Sequence, residues 1–356
     1  MAIQFYKLKV KNIVRETKEA VSVVFEIPYV LRDTFKYKHG QYLTLRFFFD
    51  GIDERRAYSI SSCPELDTDL QVTVKEVESG KVSGYVNNDL KIGDIVDVMP
   101  PLGHFTIDLN NNNSKNYVLI AGGSGITPIY SIIKAILHNE KNSKCLLIYT
   151  NRNAESSIFN LQLRELEQNS NFKLINIYSR PSDNSVIASR ISVEKLNSIF
   201  KENSNFIYPT NEYFICGPQG MIEESLLVLN EIGVNKDHIH KESFTANIKV
   251  EEEKIEVSTD NLDSSIENIS VILYGEETTI PINNGDTILI AGMKARLDPP
   301  FSCQIGACST CRAKLIKGKV RMDDYDALTD SEIAQGYILT CTAHPITNDV
   351  LVDYDL

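Results

Sequence analysis

Nowhere in these 356 residues does an apolar run approach the ~18 residues that a bilayer-spanning helix requires. The opening Met1-Ala2-Ile3-Gln4-Phe5-Tyr6-Lys7 also lacks the apolar core of a secretory signal. The expectation is a soluble, cytoplasmic globular protein without a membrane partner. Positive charge is in deficit as well. Lys and Arg number 36 against 48 Asp and Glu, a net charge of −12, which disfavours a nucleic-acid partner and an anionic membrane surface. No internal repeat is present. Low complexity is limited to Asn110-Asn111-Asn112-Asn113, read as a polar turn or inter-domain link. The seven cysteines are odd in number, and Cys63, Cys145 and Cys216 lie far from the other four. That distribution argues against a disulfide framework and for a reducing compartment.

Apolar residues at 42% and charged residues at 24% suit an ordinary globular chain, long enough for about two to three domains. Much of the acidity is local. Glu251, Glu252, Glu253, Glu256, Asp260, Asp263 and Glu267 face only Lys254, so residues 246–264 read as a solvated linker.

The cysteines past that linker carry the strongest chemical signal. Cys303, Cys308 and Cys311 are spaced C-x4-C-x2-C, and 29 residues (312–340) separate Cys311 from Cys341. This is the plant-type ferredoxin spacing for a [2Fe-2S] cluster. Two sulfide-bridged irons need four thiolates; a tight loop supplies three and a separate element the fourth. Small residues such as Gly306, Ala307 and Ser309 let backbone N–H groups turn toward the sulfurs. A zinc site is the competing reading, with Cys308, Cys311, Cys341 and His344 as a Cys3His set. It leaves Cys303 unexplained, whereas the cluster reading leaves only His344 over.

Residues 1–110 hold short strand-like runs separated by turn residues, which points to a small antiparallel barrel. Within them stands Arg56-Ala57-Tyr58-Ser59. An Arg two residues from a Tyr on a strand puts both on one face, where a guanidinium can hold a pyrophosphate and the phenol can lie against a flat heterocycle. The segment resembles the ferredoxin-NADP reductase superfamily, whose flavin signature is R-x-Y-S. The resemblance implies that Arg56 pairs with the FAD pyrophosphate, Tyr58 stacks on the isoalloxazine and Ser59 hydrogen-bonds near its N5, as a catalytic residue. Val72-Thr73-Val74-Lys75 followed by Gly80-Lys81-Val82-Ser83 resembles the family's second flavin segment. It implies a strand flanking the ring through Val74 and Lys75, and a helix opened by Gly80 and Ser83 whose N-terminus receives the diphosphate. Pro101-Leu102-Gly103-His104-Phe105 resembles the barrel's closing turn.

From residue 115 to 245 strands and helices alternate, which argues for a parallel sheet covered on both faces. The run Tyr117–Ala121 leads into Gly122-Gly123-Ser124-Gly125-Ile126-Thr127-Pro128, at the carboxyl end of the first strand, where such sheets bind phosphates. Gly123 and Gly125 let the backbone approach a pyrophosphate, Thr127 is expected to cap the helix, and Pro128 to take its first position. The turn resembles the superfamily's G-G-x-G-x-T-P, and Cys216-Gly217-Pro218-Gln219-Gly220-Met221 its C-G-P-x-x-M. The resemblance implies that Cys216, with Gly217 and Pro218, lies where the nicotinamide meets the flavin, making Cys216 the other candidate catalytic residue. Arg152 and Arg180 follow the second and third strands, and no acidic residue occupies those ends. Two arginines able to meet a 2′-phosphate favour NADPH over NADH as the nicotinamide dinucleotide. The stretch His240–Phe244 resembles the family's Glu-x-Phe segment returning toward the flavin, with Phe244 beside the cofactor.

Residues 265–356 read as a hairpin, a helix beginning with its own acidic cap at Asp286, the cluster loop and further strands. By resemblance to plant-type ferredoxins this order implies a β-grasp domain, with Ser309 where many of them carry glycine. The whole is then a multidomain β, α/β and α+β chain: an FAD-binding barrel, an NAD(P)-binding parallel-sheet domain and a ferredoxin domain. Taken together the segments resemble the reductase components that serve phenylacetyl-CoA epoxidase and the steroid ketone hydroxylases. Nicotinamide delivers two electrons as hydride and a [2Fe-2S] centre takes them singly, so a flavin between them is the converter. The resemblance implies an NAD(P)H-dependent electron-transfer oxidoreductase with no general acid–base pair, feeding a terminal oxygenase or another acceptor protein. Docking is expected near the cluster loop, with Asp323, Asp324 and Asp326 contributing. A general NADPH:ferredoxin or quinone reductase, and a non-enzymatic iron-sulfur sensor, are the alternatives.

Overall fold

The structure, a computed structural model, describes residues 4–183, 187–244 and 266–356, so the expected linker lies outside the described residues. Two compact units form, one spanning Phe5–Phe244 and the other described from residue 266 onward. Among the described residues no helix is long and apolar enough to cross a membrane.

The first unit begins with β1 (Tyr6–Thr17), β2 (Ala20–Glu26), β3 (Tyr42–Phe49), β4 (Ile52–Ser59), β5 (Leu70–Lys75), α1 (Lys81–Asn88) and β6 (Ile95–Val98). The six strands form one antiparallel sheet in the order β4-β3-β6-β1-β2-β5. A bridge between Ile60 and Val72, beside a hydrogen bond from Ser61 N to Gln71 O, brings the two edges together and curls the sheet into a barrel. Alternate residues such as Val21, Val23, Leu43, Leu45, Val72 and Val74 point inward and fill it. The turns set the register. Asp50 and Gly51, both with positive φ, make the two-residue link that pairs Phe49 with Ile52, and Lys18-Glu19 joins β1 to β2.

The same unit continues with β7 (Asn116–Gly122), α2 (Ile126–Asn139), β8 (Lys144–Asn151), α3 (Asn160–Leu166), β9 (Phe172–Tyr178), α4 (Val193–Glu202), β10 (Glu212–Gly217), α5 (Gln219–Glu231) and β11 (Ile239–Ser243). All neighbours in the order β11-β10-β7-β8-β9 are parallel. The continuous apolar run of β7 follows from burial on both faces: Tyr117, Leu119 and Ala121 enter one core, Val118 and Ile120 the other. The four-asparagine run before β7 is anchored. Asn110 N and Asn113 Nδ2 donate to Oε1 of Glu140 at 2.9 and 2.7 Å, while Tyr117 and Ser143 donate to its Oε2.

The second unit contains β12 (Asn268–Leu273), β13 (Glu276–Pro281), α6 (Ile288–Lys294), β14 (Arg312–Lys317), β15 (Val320–Met322), α7 (Asp330–Ala334), β16 (Tyr337–Leu339), β17 (Ala343–Pro345) and β18 (Leu351–Asp353). Its main sheet runs β13-β12-β18-β14-β16, with β12 and β18 parallel and the other pairs antiparallel, and β15 pairs with β17 apart from it. The expected acidic cap of α6 is displaced by one residue. Thr287 caps the helix by accepting from Ile290 N, whereas Asp286 binds Lys294 at 2.8 Å.

Candidate functional site

On the barrel, Arg56 and Tyr58 stand two residues apart on β4, opposite Leu45 and Leu43 of β3. The Arg56 guanidinium is braced by Glu54 at 3.1 Å and donates to the carbonyl of Arg55 at 2.7 Å, leaving its outer edge in solvent. Burial pushes the Tyr58 phenol above its ordinary range, against the pull of Arg56, so the ring stays neutral. Val74 is buried beside Lys75 at the end of β5. Past it, Gly80 is the N-cap of α1, and no side chain caps the free amides of the first turn. A Cβ on Gly80 would come 2.5 Å from Ser83 Oγ. The Ser83 hydroxyl is turned inward, donating to Gly80 O and accepting from Val77 N, so it shapes the turn.

The nucleotide side is built from the carboxyl ends of the parallel strands. Gly123 has φ +54°, and a Cβ on Gly125 would lie only 2.0 Å from the carbonyl oxygen of Cys216. The glycine turn is therefore pressed directly onto the end of β10. Thr127 and Pro128 depart from expectation. Helix α2 begins at Ile126 with Gly125 as its uncapped N-cap, so Pro128 is the third helical residue and Thr127 donates its hydroxyl back to Ser124 O at 3.0 Å. The missing N–H of Pro128 still removes nothing, because the first four amides of a helix have no internal partner. Orphaned polar atoms collect at this edge: Asn151 Nδ2 ends β8, the Tyr178 hydroxyl ends β9 and Gln219 Oε1 opens α5, all buried without hydrogen-bond partners. Uncapped amides and unsatisfied polar atoms fit a polar ligand such as a dinucleotide.

Arg152 and Arg180 follow β8 and β9, joined by a hydrogen bond from Arg180 N to Arg152 O at 2.7 Å. Arg180 is exposed, whereas the Arg152 guanidinium is paired with Glu19 of the β1–β2 turn. Cys216 is fully buried, and burial raises its thiol well above the ordinary value, with Glu242 adding to the rise. Gly217 and Pro218 carry the chain from β10 into α5. In the register of β10 with β11, Cys216 pairs with Glu242. Glu242 in turn accepts a hydrogen bond from Ser59 Oγ at 3.4 Å, so the end of the barrel's β4 and the last strand of the parallel sheet meet at one point. Phe244 follows one residue after β11, partly exposed. The sequence alone assigns Glu242 no role. Its one signal is to be the acidic residue inside His240–Phe244, visible as functional only once Ser59 lies against it.

In the second unit the loop before β14 and the residues after β16 bring four thiols together. Arg312 of β14 pairs with Leu339 of β16, so Cys311 and Thr340 are adjacent and both the amide and hydroxyl of Thr340 donate to Cys311 O. Cys341 then falls beside Cys303 and Cys311, and Cys303 beside Cys308. Hydrogen bonds from Cys308 and Cys341, with the amides of Ile305 and Cys308, hold the Cys303 thiol far below its ordinary value, while Cys308 and Cys341 are raised as the donors. The loop takes positive φ at Gln304 and Gly306, and Ser302 Oγ is buried beside it without a partner. His344 does not join the thiols. Its Nδ1 meets Asp286 O at 3.1 Å and its Nε2 meets Asp323 at 2.9 Å, which removes the fourth ligand of the zinc reading. Four thiols spread over paired contacts suit a two-iron centre.

Comparison with known families matches this division in chain order. An oxidoreductase FAD-binding domain matches residues 7–107, an oxidoreductase NAD-binding domain 119–226 and a 2Fe-2S iron-sulfur cluster binding domain 271–345. Fold and site thus define an NAD(P)H-dependent oxidoreductase that uses FAD and a [2Fe-2S] cluster. The chain belongs to the family of iron-sulfur flavoprotein reductases that includes one component of the 1,2-phenylacetyl-CoA epoxidase of Escherichia coli (strain K12). It is 35% identical to that component over 356 residues, covering 99% of this chain and 98% of the relative. The ferredoxin reductase component of 3-ketosteroid-9-alpha-monooxygenase from Rhodococcus rhodochrous is 31% identical over 351 residues, covering 98% and 96%. Phthalate dioxygenase reductase shares the fold with a TM-score of 0.60 at 23% identity, over 98% of both chains.

Proposed function

We propose that this chain is the reductase component of an oxygenase system: it accepts a hydride from NAD(P)H and delivers electrons singly to a partner oxygenase in the cytoplasm. The observation that carries this reading is the convergence of Ser59, Glu242 and Cys216 at the glycine turn, in a chain that also gathers four thiols. The placement of the partner rests on the names of the relatives, which are epoxidase and monooxygenase components. Seven free cysteines agree with a reducing compartment.

Bound FAD supplies the change from paired to single electrons, and the cluster carries them singly. The chain's own residues bind and orient. Arg56 and the open amides of α1 behind Gly80 would hold the FAD pyrophosphate, Tyr58 would lie against the flavin ring with the Val74–Lys75 end of β5 at its flank, and Phe244 would cover it. Gly123, Gly125 and the N-terminus of α2 hold the dinucleotide pyrophosphate. Cys216, Gly217 and Pro218 fix the nicotinamide, with the uncharged thiol excluding water. Arg180, exposed at the end of β9, is the cation left to meet a 2′-phosphate, so NADPH is the expected donor. Cys303, Cys308, Cys311 and Cys341 hold the cluster. Mixing the anaerobic, cofactor-loaded protein with NADPH should bleach the flavin and then the cluster, followed by reduction of an added one-electron protein acceptor. A purified protein without iron or acid-labile sulfide, unbleached by either nucleotide, overturns the proposal; one that binds its cluster but never bleaches is a sensor.

Glu242 holds a proton at this site. Burial raises its carboxyl from 4.5 to about 8, against the hydrogen bond from Ser59. Below that value it is neutral; above it a negative charge appears beside Cys216. The rate of flavin reduction is expected to fall as pH rises through about 8, and Glu242→Gln to flatten that fall. Stability follows the same sign. The folded chain keeps a proton that the unfolded chain loses above 4.5, so stability declines from pH 4.5 to about 8, and the Gln variant should lose this dependence in urea titrations at several pH values.

A further inference from the structure

We propose that Glu19, in the two-residue turn between β1 and β2, competes with the pyrophosphate of the nicotinamide dinucleotide for Arg152 and Lys75, and so weakens nucleotide binding and speeds release of the oxidised product. The inference rests on reading the glycine turn as the nucleotide site and adds a residue that lies outside both the glycine turn and the flavin motifs.

Three charged groups meet above that turn. Lys75 ends β5, opposite Ala20, and its Nζ lies 3.7 Å from where a Cβ on Gly123 would stand. Arg152 lies two residues beyond Thr150, which pairs with Gly122 in the register of β7 and β8. Glu19 comes from the barrel and pairs with Arg152. Its backbone is fixed by Glu76 N donating to Glu19 O at 2.7 Å and by its own amide donating to Thr17 Oγ1. Burial and the nearby Arg152 both lower the Lys75 ammonium, and Glu19 only partly offsets them. Two cations against one carboxylate leave the cluster short of negative charge. A pyrophosphate brings two charges to the same place, and Glu19, 42% exposed, can swing into water when it arrives.

A pair that merely tethers the barrel to the parallel sheet predicts the opposite sign. The same two parts are tied elsewhere by Gln162 to Glu16, Lys134 to Asp67 and Ser131 to Ser62 O, so they do not depend on Glu19. Removing a tether loosens the site and weakens binding; removing a competitor tightens it.

The test is calorimetric titration of the full-length, FAD- and cluster-loaded protein with NAD+ and with NADP+. Glu19→Gln is expected to lower both dissociation constants about two- to fivefold, with the product-inhibition constants falling in step. Arg152→Gln should raise both, and Glu19→Gln should give no gain in the Arg152→Gln background. Unchanged or weaker binding by Glu19→Gln overturns the inference. So does a gain confined to NADP+, which would set Glu19 against the 2′-phosphate. Wild-type protein that binds neither nucleotide overturns the functional reading itself, and this inference with it; wild-type protein that binds both beside an unchanged variant overturns this inference alone.

Discussion

Cys341→Ser should leave NAD(P)H-driven flavin reduction within about twofold of wild type while lowering reduction of a one-electron protein acceptor by about a hundredfold or more. The asymmetry follows from where the residue sits. Cys341 belongs to a compact unit separate from the one that carries Ser59, Glu242 and Cys216, so the flavin and nucleotide sites have no structural debt to it. Within its own unit it follows β16, whose pairing with β14 is made by backbone hydrogen bonds that a serine leaves intact. The substitution keeps the side chain's size and removes only the sulfur that lies against Cys303 and Cys311. Iron and acid-labile sulfide should drop together, and the visible absorption of the cluster with them. A variant that retains both and still reduces the acceptor at the wild-type rate would remove Cys341 from the ligand set.

Gly125→Ala should have the opposite profile. The added carbon would stand 2.0 Å from the Cys216 carbonyl oxygen, 2.4 Å from its carbon and 2.8 Å from Gly217 N. These are backbone atoms of a central strand and cannot rotate aside, so α2 must lift away from β10. Overpacking of this kind costs about 3 kcal/mol or more. A shift of about 1 Å at the nicotinamide is expected to slow flavin reduction about a hundredfold. The cluster, in the other unit, should assemble normally. Gly220→Ala is the matched control: it is the second residue of α5 with open space around it, and is expected to leave stability within about 0.5 kcal/mol of wild type without slowing flavin reduction. Stopped-flow rates and urea melts of the two variants decide the matter. Equal flavin reduction rates for the two would show that the close approach at Gly125 is unimportant to hydride transfer.

Legibility differs between elements for physical reasons. Tyr42–Phe49 and Leu70–Lys75 read from sequence with their observed ends, because apolar and β-branched residues fill them and turn residues bound them. Strand β4 reads only from Ala57. Its first half, Ile52 to Arg56, carries charges that resemble a loop until ion pairs are seen to satisfy them, Asp53 with Arg55 along the strand and with Arg46 of β3 across the sheet. Strand β1 likewise reads short, since two register shifts disturb its alternation. The small elements after the cluster loop, β15, β17, β18 and α7, have too few residues for periodicity to speak. Helix α7 is held instead by a reciprocal cap between Thr329 and Glu332, a pairing of two side chains that periodicity does not register. At the site, the cysteine spacing and glycine turn are legible because their chemistry depends on local spacing. Glu242 and Glu19 are not, since each acquires meaning from a residue more than a hundred positions away, Ser59 and Arg152.

Strand β18 occupies the middle of the cluster unit's sheet, between β12 and β14, yet in chain order it follows the other described strands of that sheet. On the ribosome all four sulfur-bearing residues therefore emerge before the strand that completes their scaffold, and Val352, wholly buried, must slot in between two partners already made. The thiols remain unprotected during that interval. Iron-sulfur loading consequently belongs after β18 has docked, and cells short of folding capacity should accumulate a yellow form, flavin-loaded and iron-free, ahead of the mature brown one.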